Sequence, residues 1–303
     1  MASTSSSYCG GPYTHISLTP PADDDGVALL TLAREPVNTM DGALWGELGR
    51  ALTGLEAAHR AGLDSGAALT PPTPSSPSPH YPRAVVIESG LARDVFTAGN
   101  DIAELYAPGT TQAAYTSFWV LQNTVLSSLL VSPLVTVAAI RGACPAGGCA
   151  LALCCDVRVL LDGPAAVIGL NEVGLGIPVP KMWGALMARV VGQATAERLC
   201  MGAALVGGGK ALEAGLVDTL VPGGGGAGAL RSAALAAARS LVRAGPDAGR
   251  AATKLGARGE FASAWAAYAP GEAAGAWAML ASPATVRALK SVMDRLASKK
   301  ARL

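Results

Sequence analysis

Two hydrophobic periods alternate along this chain. Stretches 13–18, 27–33, 84–88, 135–140, 157–161, 167–168 and 217–221 are short, rich in Val, Ile and Leu, and bounded by Gly, Pro or Asp. That pattern predicts strands. Between them, apolar positions recur every three or four residues. Asp41 opens one such stretch, running to about residue 61, with Leu44, Leu48, Leu52 and Leu55 on a single stripe. Further helices are predicted at 112–132, 149–155, 182–191, 194–201 and 210–214. Beyond residue 227 the pattern is almost wholly helical, at 229–243, 248–268, 271–281 and 283–300. Strands alternating with helices, followed by helices alone, predict an α/β core over 13–222 and a helical module over 223–303.

Two stretches carry neither period. Residues 1–12 read as a disordered leader. Residues 62–82, rich in Pro, Ser, Thr and Gly, read as a surface insertion, disordered or polyproline-like.

Composition narrows the possible partners. The 23 Lys and Arg residues nearly balance the 22 Asp and Glu residues, and no basic patch is interleaved with aromatics, so nucleic acid is not an expected partner. The apolar stretch 128–140 is divided by Pro133 and falls short of the ~18 residues a membrane span needs. Of the six cysteines, Cys144, Cys149, Cys154 and Cys155 crowd into the apolar centre. Their spacing, with Cys9 and Cys200, fits neither a zinc site nor a CxxC pair, so they are expected as buried reduced thiols. The start of the chain has no Arg or Lys before Arg34 and makes a poor transit or secretory peptide. The end, Ala301-Arg302-Leu303, is of the small-basic-Leu type that a peroxisomal import receptor reads.

Candidate chemistry concentrates in three places. The first is a turn at Ala146, Gly147 and Gly148, placed to start a helix. The second is Ala98-Gly99-Asn100-Asp101, a second glycine turn opening a short helix. The third is Glu172, a lone carboxylate in the apolar stretch 168–177. Backbone N–H groups at a helix start have no internal partner, so two such turns are the parts of an oxyanion hole. Apolar surroundings should raise the pKa of Glu172 toward a range useful for moving protons. Asp101 is placed to fix its own turn.

Other motifs fail on context. Gly223, Gly225 and Gly228 satisfy GxGxxG, but no further strand and no acidic residue follow as a dinucleotide site requires, so a flexible linker is expected. The Gly207–Lys210 run lacks the first glycine and the Ser or Thr of a phosphate loop. His15, His59 and His80 lie far apart and are expected at the surface, which leaves a serine or cysteine triad without a base.

The stretches FTAGNDI (96–102) and GACPAGGC (142–149) resemble the enoyl-CoA hydratase/isomerase (crotonase) superfamily. The likeness covers roughly 26–222. With the segment LNEVGLGI (170–177), the chain most resembles mitochondrial-type Δ3,Δ2-enoyl-CoA isomerases. The resemblance implies a crotonase-like spiral of ββα repeats with a C-terminal helical trimerisation module, as homotrimers that can pair into hexamers. It assigns the oxyanion hole to the N–H groups of Asn100 and Gly147, and the base to Glu172. It places Ala98, Gly99, Asn100, Asp101 and Ile102 along the coenzyme A path, with Gly147 beside it and Asn171 beside the acyl chain. No resident cofactor is implied, since the coenzyme A thioester is the substrate. Hydratases of the family carry a second glutamate where this chain has Ala150. Hydration suits two carboxylates, whereas moving a double bond from C3–C4 to C2–C3 needs one base. The expected activity is therefore isomerisation in fatty-acid β-oxidation, in the peroxisome or alternatively the mitochondrial matrix. Other crotonase chemistry, or a non-catalytic acyl-CoA-binding member, remains the alternative.

Overall fold

The structure is a computed structural model describing residues 8–23, 25–64 and 81–300. Most of the expected insertion (65–80, including His80), the first seven residues of the expected leader, and Ala301-Arg302-Leu303 lie outside the described residues.

The chain begins with β1 (Ile16–Thr19), β2 (Val27–Leu32), α1 (Gly42–Asp64), β3 (Ala84–Ser89), α2 (Gln112–Leu130) and β4 (Val135–Arg141). It continues through β5 (Ala143–Pro145), α3 (Gly147–Cys154), β6 (Val157–Leu161), β7 (Val167–Gly169), α4 (Lys181–Val191) and α5 (Gln193–Met201). It ends with β8 (Val206–Gly207), α6 (Gly208–Glu213), β9 (Thr219–Val221), α7 (Gly226–Arg243), α8 (Asp247–Leu280) and α9 (Pro283–Lys300). One sheet has the order β1-β2-β3-β4-β6-β9, parallel except for β1, and a small second sheet has the order β5-β7-β8.

β3, β4 and β6, at the centre of the main sheet, are buried on both faces, which explains why they read as nearly continuous apolar runs. Val85, Ile87, Ala138 and Ile140 join the core that includes Leu44, Leu48, Leu52 and Leu55 of α1. Their neighbours Ala84, Val86, Val137 and Ala139 face Leu230, Ala234, Ala238 and Val242, a four-residue repeat along α7. The helices after residue 222 thus complete the core rather than stand apart from it.

Several expectations change. The helices expected at 248–268 and 271–281 are one helix, α8, running through Pro270. Its buried face, Ala262, Trp265, Ala269, Ala273 and Leu280, continues across the proline, while Pro270 itself is exposed. A ring and a missing N–H on the outer face can be tolerated there. α8 is docked by charge as well: Lys254 Nζ lies 2.6 Å from Asp156 Oδ2 and 2.6 Å from the Leu134 carbonyl, and Arg258 reaches Asp156 Oδ1 at 2.8 Å.

The leader is not disordered throughout. Residues Tyr8–Gly10 form a turn against α1, so close that a Cβ on Gly54 would meet the Cys9 carbonyl oxygen at 2.5 Å. α1 continues to Asp64, into the stretch read as insertion. The chain returning at Tyr81–Pro82 covers that last turn, and this buries His59, expected at the surface, with Nδ1 2.8 Å from the Pro82 carbonyl. Nor is the glycine run a loose linker. Residues Gly223–Gly225 form a 3₁₀ turn leading directly into α7, and a Cβ on Gly223 would sit 2.5 Å from the Asp162 carbonyl oxygen. The four central cysteines are buried and unbridged, as expected.

Candidate active site

β5 brings the three candidate segments together. On one side, the Phe96 and Thr97 N–H groups both donate to the Ala143 carbonyl, at 3.0 and 3.2 Å. On the other, β5 pairs with β7 so that Pro145 faces Gly169, and the Ala146 N–H donates to the Gly169 carbonyl at 2.9 Å. β7 leads directly into Asn171 and Glu172.

The first turn leaves one donor unused. The Ala98 N–H is bonded to the Val37 carbonyl (2.9 Å), Gly99 to Thr97 Oγ1 (3.0 Å) and Asp101 to the Met40 carbonyl (3.1 Å). Among the described residues, only Asn100 in this run donates its N–H to no protein acceptor. Asp101 caps the 3₁₀ turn Ile102–Glu104 by accepting from the Ala103 N–H at 2.9 Å, the local role expected of it.

The second turn presses against the first. Gly147 is the first residue of α3, whose opening N–H groups lack intrahelical acceptors. A Cβ on Gly147 would lie 2.5 Å from Asn100 Oδ1, and one on Gly148 would lie 2.3 Å from Thr97 Cγ2. Neither position has room for a side chain. Ala146, just before, holds φ 51° and ψ −122°, a costly conformation for a residue with a Cβ. Gly99, at φ +84°, is free of that cost.

Glu172 opens the 3₁₀ turn Glu172–Leu175 and is only 3% exposed. Among the described residues, neither carboxylate oxygen has a hydrogen-bond partner. Burial raises its pKa from 4.5 to about 7, with its own backbone amide acting in the opposite direction. Burial, and then the adjacent Glu172 charge, also raise the Cys200 thiol. Ala150, one turn into α3, is fully buried. Asn171 Oδ1 is a second buried acceptor without a partner among the described residues. α9 backs the turn, since Gly176 (φ +80°) leaves only 2.9 Å between an added Cβ and Ala288 Cβ.

The structure therefore gathers every expected site residue, Ala98, Gly99, Asn100, Asp101, Ile102, Gly147, Asn171 and Glu172, into adjacent segments. Sequence reasoning missed Trp45 and Gln122, whose side chains hold that of Asn100. Gln122 left one signal, a polar residue on the buried stripe of α2 between Trp119 and Val125.

A buried carboxylate without a hydrogen-bond partner among the described residues, and two abutting donor turns, are the parts that proton transfer next to a carbonyl requires. The family model described as enoyl-CoA hydratase/isomerase matches residues 78–263, and the chain belongs to that family. Among individual relatives, it is 40% identical over 140 residues to enoyl-CoA delta isomerase 1, mitochondrial, of Mus musculus, covering 46% of this chain and 47% of that protein. The Homo sapiens counterpart is 41% identical over 140 residues, covering 46% and 45%. The chain thus spans about half the length of these curated relatives in matched sequence. In structure, it superposes on human mitochondrial Δ3-Δ2-enoyl-CoA isomerase with a TM-score of 0.80 at 30% identity, over 95% of this chain and 100% of the other. An enoyl-CoA hydratase/isomerase from Xanthobacter autotrophicus Py2 shares the fold, with a TM-score of 0.71 at 24% identity over 96% and 99%.

Proposed function

We propose that the protein is a Δ3,Δ2-enoyl-CoA isomerase, moving the double bond of a 3-enoyl-CoA to the 2-trans position in the β-oxidation of unsaturated fatty acids. The observation that carries this reading is the solitude of Glu172. It is buried and unpaired among the described residues, and the position where a hydratase would carry its second glutamate is the methyl group of Ala150. The names of the relatives support the same reaction.

In this reading the thioester carbonyl accepts hydrogen bonds from the Asn100 and Gly147 N–H groups. The ionised Glu172 removes a proton from C2, and the electron pair delocalises into a dienolate whose oxygen the two donors hold. The same carboxyl, now protonated, returns the proton at C4, leaving the double bond at C2–C3. A pKa of about 7 suits both halves of the cycle at neutral pH, since the carboxylate can take the proton and release it with little bias. Residues 98–102 line the coenzyme A path, Asn171 borders the acyl chain, and the reaction needs no resident cofactor.

A paired assay tests the proposal: 3-hexenoyl-CoA is followed for conversion to 2-enoyl-CoA, and 2-enoyl-CoA for hydration. Isomerisation with little hydration is expected. Hydration alone would overturn the single-base reading, and acyl-CoA binding without turnover would point to a non-catalytic member.

Assembly and location belong to the same proposal. A homotrimer is expected, with light scattering as its test. Met201, 70% exposed, and Val173, 45% exposed, give the surface beside the Glu172 turn apolar area to cover. The relatives' names favour the mitochondrion, while Ala301-Arg302-Leu303 favours the peroxisome. Imaging the chain with and without its last three residues decides, since only a peroxisomal signal should vanish on their removal.

A further inference from the structure

We propose that Trp45 and Gln122 are positioning residues for the oxyanion donor of Asn100, acting through a directed chain of side-chain hydrogen bonds. The proposal rests on the isomerase reading and deepens it.

The chain has a direction because one end can only donate. The Trp45 indole N–H, fully buried, lies 3.2 Å from Asn100 Oδ1. An indole has no acceptor, so this contact fixes which end of the Asn100 amide is oxygen. Asn100 Nδ2 must then donate outward, and it reaches Gln122 Oε1 at 2.7 Å. That in turn commits the Gln122 amide, whose Nε2 is buried without a partner among the described residues. An orphaned buried donor is costly and calls for a reason. The stripe of α2 on which Gln122 sits is otherwise largely apolar (Tyr115, Phe118, Trp119, Val125 and Leu126), so a buried amide stands out there, and its carbonyl oxygen serves as the acceptor for Asn100 Nδ2. Among the described residues, the one bond that Gln122 makes through its amide is to Asn100.

The side chain being held is also the contact between the two donor turns. Asn100 Oδ1 occupies the space where a Cβ of Gly147 would lie, 2.5 Å away. Shifting the Asn100 amide changes how the two turns abut, and with that the spacing of their N–H groups. Oxyanion donors act only when their distances to the developing charge are short, and a displacement of ~1 Å can cost about a hundredfold in rate.

The test cuts the chain at its two ends. Trp45→Phe removes the donor and Gln122→Met removes the acceptor, each close to its original volume. Three quantities are measured on the purified full chain: kcat and KM for 3-hexenoyl-CoA, the affinity for free coenzyme A, and the near-ultraviolet enolate absorbance of bound acetoacetyl-CoA. Each variant is expected to lose about ten- to a hundredfold in kcat with KM within about twofold. The enolate absorbance should fall, and coenzyme A affinity should not change. A merely structural role would weaken coenzyme A binding and enolate formation together, and that result would overturn the proposal, as would unchanged kcat and enolate absorbance. Should one variant fail to fold by circular dichroism, the other decides, because the chain can be broken from either end. If the wild-type protein neither isomerises the substrate nor enolises acetoacetyl-CoA, the isomerase reading fails and this proposal falls with it. An active wild type with unaffected variants removes only the positioning role.

Discussion

Burial of Glu172 has a thermodynamic signature as well as a catalytic one. With a folded pKa near 7 against about 4.5 unfolded, the native state holds a proton that the unfolded chain releases within this window. Stability is therefore fully present below pH 4.5 and is lost as pH rises through about 7. The loss amounts to ~3 kcal/mol above that range at about 1.4 kcal/mol per unit. Glu172→Gln should unfold at nearly the wild-type urea midpoint at pH 5 and at a distinctly higher one at pH 8. An equal difference at both pH values would mean that the carboxylate titrates normally. The same substitution should abolish the proposed isomerisation while leaving acyl-CoA binding largely intact, because the proposed oxyanion donors are backbone groups it does not touch. Near-normal turnover would remove Glu172 as the base. In the wild type, kcat should rise with pH through about 7 and then level off. Glu172, Asn100 and Gly147 were legible in the sequence because short motifs carry them. Trp45 and Gln122 were not, because their bonds to Asn100 span 55 and 22 residues and no local pattern encodes a contact of that range.

At the scale of elements, the strands and most helices were legible for the same physical reason. Parallel strands buried on both faces must be apolar throughout, and helices that cover them must repeat every three or four residues. The failures share a cause too. Pro270 signals a break by its chemistry, yet the helix passes through it because Trp265, Ala269 and Ala273 keep one continuous face against the core. The proline cannot donate to the carbonyl of Ala266, four residues earlier. Pro270→Ala restores that bond on an exposed surface and is expected to stabilise the protein by about 1–3 kcal/mol, read as a raised urea midpoint. A lowered midpoint would show that the ring makes packing contacts worth more than the missing bond. The abutting turns predict the opposite sign. Gly148→Ala would set a methyl group 2.3 Å from Thr97 Cγ2, so the turns must part. Both Tm and kcat should fall, with kcat down about a hundredfold if the donors separate by ~1 Å. A variant with wild-type kcat would show that the turns can separate without disturbing the oxyanion hole.

For the molecule as a whole, the helices after residue 222 divide by what they cover. α7 covers one face of the central strands of the main sheet, through Leu230, Ala234, Ala238 and Val242. α8 lies along α2 and is held by Lys254 and Arg258 on Asp156. A chain ending at Pro222 would expose the apolar side chains of Val86, Val137 and Val159 and should not fold. α9 does a different job. Its inner side, Thr285, Leu289 and Val292, is buried, and Ala288 stands against Gly176 in the turn that presents Glu172. Its loss would remove little of the sheet's cover and much of the support behind the Glu172 turn. A chain ending at Ser282 is therefore expected to keep its circular dichroism spectrum and a cooperative unfolding transition, while kcat falls. The cause can be read from the pH profile. If α9 helps to exclude water from Glu172, its removal lets solvent reach the carboxylate, and the midpoint of the kcat profile should move from about 7 toward the ordinary 4.5. A shortened chain that is folded, slow and unshifted in pH would mean that α9 fixes the position of the turn without setting its dielectric surroundings. One that is fully active would mean that the Glu172 turn is held by β7 and α5 alone.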